Sequence, residues 1–501
     1  MSDQKRWLMF AFAMGCSGHQ SPGSFAHPAD KSIFHNKLSY WTDLAKLLEG
    51  GKFDGLFLAD VWGGYDVYTK SLAPSLATGS QIPLIDPLFT VPAMATATKH
   101  LTFGLTATTS YEHPYSLARR FSTLDHLTNG RVGWNVVTGY LDSAARQFGA
   151  RNQELHAKRY EVAHEYMDVV YKLWESSWAD DAVKHDISKP LYADPERVRD
   201  IKHKGQYYEV PGPHICEPSL QRTPVIFQAG SSGPGLAFAG KHAEVIFIAA
   251  HAPQVAKSRV DGARKAAAEA GRDPKKLRVL ALLLPIVGKT DEEAEAKHRD
   301  FLNNASEEGA LALFGGWTGI DLSSYAPDEE LRDLPEGNAI KSAVEGFARA
   351  DPTVGKWTKS EVANQLKIGG LGPFIVGSAS TVANKLEEWV NEAGVDGFNL
   401  AYAISPGTFV DTVQLLVPEL QKRGHMWSDY PEAGAAPSDW PSNKKTNSTA
   451  VNQAPKGFGE DEQPGLTARE KLYGAGNRRL PDDHYGHRFR WEAGKPAPAL
   501  D

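Results

Sequence analysis

The chain has 501 residues, 41% of them hydrophobic, with 54 Lys and Arg against 61 Asp and Glu for a net charge of −7. That apolar content excludes a wholly disordered chain, and an acidic balance with no basic stripe excludes a nucleic-acid binder. The two cysteines, Cys16 and Cys216, are too few for a disulfide framework or a cysteine-rich zinc site.

No apolar run reaches the roughly 18–20 residues of a membrane span, so a cytoplasmic protein with no membrane partner is expected. Lys5 to Met14 has the outline of a short signal peptide, but Asp3 spoils its charged start, and Trp7–Met14 reads as a buried first strand. Tyr40–Glu49 follows as a helix, with Trp41, Leu44, Leu47 and Leu48 on one face. Gly55–Ala59 is a strand, Pro87–Lys99 contains a helix, and Leu101–Thr109 is a strand. Pro114–Leu127 is a helix stopped by Asn129-Gly130, and Arg131–Val137 is the next strand. His156–Glu175 is a long helix with Ala163, Tyr166, Val170 and Leu173 at helical spacing. Val225–Gln228, Val245–Ala249, Leu277–Val287 and Gly397–Ala403 are strands, alternating with helices at Gly235–Lys241, Ala263–Gly271, Asp291–Asn304, Thr381–Ala393 and Thr408–Arg423.

Eight strands alternating with helices predict an α/β fold, a closed (β/α)8 TIM barrel with long insertions in its βα loops and a C-terminal extension. No GxGxxG follows the first strand, which disfavours a Rossmann sheet. The barrel is expected over 1–430, with insertions near 176–222 and 305–370 that can act as lids. In the second insertion, Gly315-Gly316-Trp317-Thr318-Gly319 reads as a loop. Residues 431–465 read as a flexible linker, and 466–501 as a tail that docks on the barrel or on a partner subunit.

A barrel active site lies at the C-terminal strand ends. That rule selects Cys16 and His19, Asp60, Thr106 and Thr108, Asn135 with Gly139 and Tyr140, and Ala229-Gly230-Ser231-Ser232. The last segment runs straight into a helix, so small residues, hydroxyls and a helix N-terminus converge as in a phosphate site; the bland alternative is an ordinary βα loop with a serine cap. His156 and Tyr160 share a helix face as cofactor contacts or as a surface histidine beside a core tyrosine, and without an HExxH no metal is expected. Cys16 with His19 has a possible nucleophile–base spacing, although a small buried thiol is the commoner outcome.

Longer motifs then carry a resemblance. Gly51-Lys-Phe-Asp-Gly-Leu-Phe-Leu-Ala-Asp60, Ser110-Tyr-Glu-His-Pro-Tyr115, Ser122 to Thr138 and His156-Ala-Lys-Arg-Tyr-Glu161 resemble the bacterial luciferase-like flavin monooxygenases. The subgroup is that of nitrilotriacetate and dibenzothiophene sulfone monooxygenases, and Pro211–Pro218, Arg222–Gly230 and Asp396–Leu400 are most similar to its long-chain alkane and dimethyl sulfide members. The resemblance implies a two-component monooxygenase. It would take reduced FMN from a separate NAD(P)H-dependent flavin reductase, form a flavin C4a-peroxide with O2, and oxygenate a small apolar alkane- or thioether-type substrate. It places FMN against Asp60, Gly139, Tyr140, His156, Tyr160 and Ala229 to Ser232, with Thr106 and Thr108 flanking the ring. It places substrate near Cys16, His19, Tyr65 and Gln81. Tyr140 and Leu313 stand where the resemblance gives the alkane members histidine, as in the dimethyl sulfide members, which points away from alkane hydroxylation and toward a thioether or another small apolar substrate.

His19 is the candidate proton donor or acceptor, with Tyr140 and Cys16 beside it, because an unperturbed imidazole titrates near neutrality. A homodimer or dimer of dimers, joined through the third and fourth βα units, is also implied. The alternatives are a deazaflavin- or flavin-dependent hydride transferase on the same fold, or a non-catalytic FMN-binding protein.

Overall fold

In the computed structural model, residues 6–186, 188–230, 232–331, 357–431 and 465–500 are described. Eight parallel strands close on themselves: β1 Leu8–Met14, β2 Gly55–Ala59, β3 Thr102–Thr108, β4 Val132–Val137, β5 Val225–Gln228, β6 Val245–Ile248, β7 Arg278–Gly288 and β8 Gly397–Leu400. Each pairs with the next, and β8 returns to β1 with Leu8 opposite Gly397, so the barrel is shut. Every residue of β5, β6 and β8 is buried, as expected for strands covered on both faces.

Strand alternation divides the core into two layers. Leu8 and Phe10 of β1 point into the barrel with Phe57, Phe227 and Phe247, while Met9, Ala11 and Ala13 face the surrounding helices. Those helices include α1 Leu38–Gly50, α2 Pro114–Leu127, α3 His156–Tyr171, α4 Gly233–His242, α5 Pro253–Glu269 and α6 Asp291–Asn304. The helix expected at Ala263–Gly271 begins ten residues earlier in the sequence, at Pro253, because Lys, Ser and Arg between Ala256 and Val260 mask the buried stripe. A strand absent from the sequence reading, Phe374–Ser378, extends the sheet beside the second half of β7.

The insertions differ in character. Residues 176–222 form two small antiparallel hairpins, Val183–Asp186 with Leu191–Ala193 and His203–Lys204 with Glu209–Val210. In 305–370, the stretch expected to be a loop is the C-terminal half of a helix, α7 Glu307–Thr318, capped by the Ser306 hydroxyl and ended by Gly319 at φ 76°. Its glycines are there for close packing, since a Cβ on Gly316 would lie 2.3 Å from the Tyr65 ring. A second, separate core of Tyr65, Leu141, Leu313, Phe314, Trp317 and Leu366 sits between α7 and the loops after β2 and β4.

The proposed linker lies almost entirely within 432–464, outside the described residues. Beyond it, the short helix Ala468–Tyr473 lies under the barrel. Ala468 N donates to Gly130 O, Arg278 Nη2 donates to Leu472 O, and Ala468 and Leu472 join the phenylalanine layer inside. Among the described residues, no helix is long and apolar enough to cross a membrane.

Candidate active site

A cavity of about 210 Å³ opens at the C-terminal ends of β2 to β5. Asp60 ends β2, Thr106 and Thr108 end β3, and Gly139 and Tyr140 follow β4; all five line it. Ala229, Gly230 and Ser232 line it from the loop after β5, and His156 and Tyr160 from the first turns of α3. Among the described residues, one cofactor candidate does not appear in the wall. Asn135 sits behind it and donates from Nδ2 to Thr106 Oγ1 at 2.9 Å, and Ser231 lies outside the described residues.

One end of the cavity is built from two helix starts. Ser232 caps α4, its Oγ accepting from Gly235 N at 3.2 Å and lying 3.2 Å from His156 Nε2. Gly230 N donates to Gln228 Oε1 at 2.6 Å, which folds the loop back over β5. A Cβ on Gly230 would meet Gln228 Nε2 at 2.4 Å and the Tyr160 hydroxyl at 2.7 Å, so only glycine leaves this floor open. The buried guanidinium of Arg159 lines the same cavity. Positive helix termini, backbone amides, hydroxyls and a buried cation suit an anionic phosphate. Sequence reasoning missed Arg159, although it stands inside the quoted His156–Glu161 motif, and it also missed Tyr111 and Trp62.

The other end is flatter and more apolar, with Val61, Ala107, Val136, Val137 and Leu141 around the threonines. Burial and then the nearby charge of Asp86 push the Asp60 carboxyl up to about 8, so it is protonated at neutral pH. At the mouth, Tyr111 stacks on Phe148 with ring centroids 4.4 Å apart, and Trp62 meets Phe148 edge-on at 5.5 Å. Gly139 has φ 65°, and a Cβ there would crowd Gln153 Nε2 at 2.8 Å, the atom that donates to Tyr111 OH.

The residues expected around substrate are brought together, but beside the cavity rather than in its wall. Tyr140 joins the two groups, because it lines the cavity and its hydroxyl lies 3.0 Å from that of Tyr65. Tyr65 donates to Gln81 Oε1 at 2.6 Å, and Gln81 Nε2 donates to His19 O at 2.6 Å. Leu313 of α7 packs in the same upper core as Tyr65.

The premise that His19 titrates near neutrality fails. Burial lowers its pKa to about 3, so the ring is neutral and packs edge-on against Phe12 at 4.4 Å. Cys16 is buried as well, and burial together with Asp60 pushes its thiol far above the ordinary range. A thiol that stays protonated is no activated nucleophile. Burial raises the Tyr140 hydroxyl to about 12.

The barrel, its strand-end cavity and the phosphate-like cradle define the class: a luciferase-like flavin barrel. The family model for luciferase-like monooxygenases matches residues 10–397, and the chain belongs to that family; it is a flavin-dependent monooxygenase. It is 49% identical to a dimethyl-sulfide monooxygenase of Hyphomicrobium sulfonivorans over 427 residues, covering 85% of this chain and 88% of the relative. It is 46% identical to a long-chain alkane monooxygenase of Geobacillus thermodenitrificans over 480 residues, covering 96% and 97%. A crystal structure of riboflavin lyase with modified FMN and riboflavin superposes with a TM-score of 0.82 at 31% identity, covering 97% of this chain and all of that one.

Proposed function

We propose that this chain is the oxygenase half of a two-component system. It takes reduced FMN from a separate NAD(P)H-dependent flavin reductase and places one atom of O2 on a small apolar substrate. The observation that carries this reading is the two-ended cavity, with a cradle for an anion at the α3 and α4 starts and a flat apolar end against β3 and β4. The relatives named for dimethyl sulfide and long-chain alkanes support a thioether- or alkane-type substrate.

Bound reduced FMN would supply the two electrons and two protons that turn O2 and substrate RH into ROH and water. The chain's own residues do the rest. Gly230, Ser232, His156 and Arg159 would hold the phosphate, and Thr106, Thr108 and the protonated Asp60 would meet the ring edges. The upper core of Tyr65, Trp317 and Phe314 keeps water from the inner side of the cavity. A cytoplasmic homodimer or dimer of dimers completes the proposal.

The test is stopped-flow absorbance of the full chain with anaerobic reduced FMN, mixed with oxygenated buffer. Reoxidation should differ from that of free flavin, and a thioether or alkane should change its rate. A time course identical to free flavin, despite tight FMN binding, would overturn the oxygenase reading in favour of hydride transfer or flavin carriage.

A further inference from the structure

Four side chains beside the cavity form a closed hydrogen-bond set whose donors can be assigned in only one way. Trp317 Nε1, on α7, lies 3.1 Å from Tyr65 OH, and an indole N–H can only donate. Gln81 lies between Tyr65 OH and the carbonyl of His19. A backbone carbonyl only accepts, so the amide end facing His19 O is Nε2 and the end facing Tyr65 is Oε1. Oε1 also only accepts, so Tyr65 gives it the single hydroxyl proton, across 2.6 Å. One lone pair of Tyr65 takes the Trp317 proton. The Tyr140 hydroxyl, 3.0 Å away, then has no proton to receive from Tyr65 and must donate to it.

We infer that Gln81 is a positioning residue that commits the Tyr140 proton to Tyr65, with Trp317 only filling a Tyr65 lone pair, so that Tyr140 meets any cavity occupant as a hydrogen-bond acceptor only. The backbone supports a held geometry: Gln81 sits at φ 57°, a left-handed conformation that is costly for a side chain of this kind. Tyr65, Gln81 and Trp317 are all buried, so water offers no alternative partner. An occupant bringing an O–H or N–H to Tyr140 is matched. One bringing only a carbonyl, ether or sulfoxide oxygen meets lone pairs. Gln81 thus serves the cavity through Tyr65 and Tyr140 rather than by touching its occupant.

Neutron diffraction from heavy-water-exchanged crystals of the full chain, with and without oxidised FMN, reads the hydroxyl deuterons directly. The expected map has the Tyr65 deuteron on the line to Gln81 Oε1 and the Tyr140 deuteron on the line to Tyr65. A Tyr65 deuteron aimed at Tyr140, or a Tyr140 deuteron aimed into the cavity, overturns the inference. In Gln81→Leu the released Tyr65 deuteron is expected to turn to Tyr140 and the Tyr140 deuteron into the cavity, whereas Trp317→Phe leaves the order as it was. An unchanged order in Gln81→Leu, or a reversed one in Trp317→Phe, also overturns it, and the wild-type map decides alone if a variant does not fold. The proton order stands whatever molecule fills the cavity, so a contrary result leaves the flavin monooxygenase assignment untouched.

Discussion

Arg469 Nε meets Glu244 Oε1 at 2.7 Å, and neither side chain exposes any surface. The pair ties the helix under the barrel to the residue just before β6, and both partners are otherwise satisfied. Glu244 Oε2 accepts from Ile226 N, and Arg469 Nη2 donates to the carbonyls of Thr223 and Pro224. Burial alone would raise the Glu244 carboxyl, but Arg469 overrides it and holds the group below the usual range. The contribution of the pair is therefore complete at neutral pH and is lost as pH falls through that depressed value.

Arg469→Met leaves a buried carboxylate without its cation. We expect the unfolding free energy to drop by about 3–5 kcal/mol, with part of it regained when Glu244→Leu is added. Chemical denaturation of the two variants checks this, and an unchanged midpoint in Arg469→Met would count against the role given to the pair.

Lys471 has the opposite pH signature. Its Nζ is buried and donates to the carbonyls of Asp54 and His100. Burial lowers its pKa from 10.5 to about 7. Across that window the unfolded chain binds a proton that the folded chain does not, so stability rises with pH. At lower pH both states are protonated and the penalty is constant. Lys471→Met is expected to remove this part of the rise, read as the difference between wild-type and variant unfolding free energies at two pH values inside the window.

Gly230→Ala tests the anion cradle. The added Cβ must displace Gln228 or the Tyr160 hydroxyl, both of which belong to the cavity wall. FMN affinity is expected to fall at least about tenfold, or about 1.4 kcal/mol, with little loss of global stability. Equilibrium titration with FMN and a melting curve separate the two effects.

Ser232→Ala removes the cap of α4 and is expected to cost about 1 kcal/mol of stability in addition to weakening FMN binding. Loss of stability with unchanged FMN affinity would confine Ser232 to the capping role.

Gly316→Ala sets two effects against each other. Alanine favours a helix interior over glycine by about 1 kcal/mol. Against this, its Cβ would lie 2.3 Å from Tyr65 Cγ and Cδ1. Packing decides the sign. Tyr65 is pushed off Tyr140, and turnover is expected to fall at least about tenfold, or about 1.4 kcal/mol of barrier. Steady-state kinetics with a reductase present reads this, and wild-type turnover would refute it.

The barrel is written in the sequence because its signals are local. Pro114–Leu127, Asp291–Asn304 and Val225–Gln228 carry their own stops, caps and apolar runs, and their boundaries coincide with the structure. The strand-end rule also brings Asp60, Thr108, Gly139 and Gly230 to one cavity from four separate stretches of chain. What escaped was set by tertiary contact. Gly316 looks like part of a loop because its reason, the Tyr65 ring, lies about 250 residues upstream. His19 looks titratable until its burial is known, and nothing near Arg469 announces Glu244.

The order of synthesis gives the floor of the barrel a further meaning. Ala468 and Leu472 close the layer of Phe10, Phe57, Phe227 and Phe247 from below, yet they leave the ribosome after all eight strands. A nascent chain with its barrel otherwise formed still shows an aromatic mouth to the surrounding medium. Chaperone capture and aggregation during translation are expected to concentrate there, and to cease once the last helix seats.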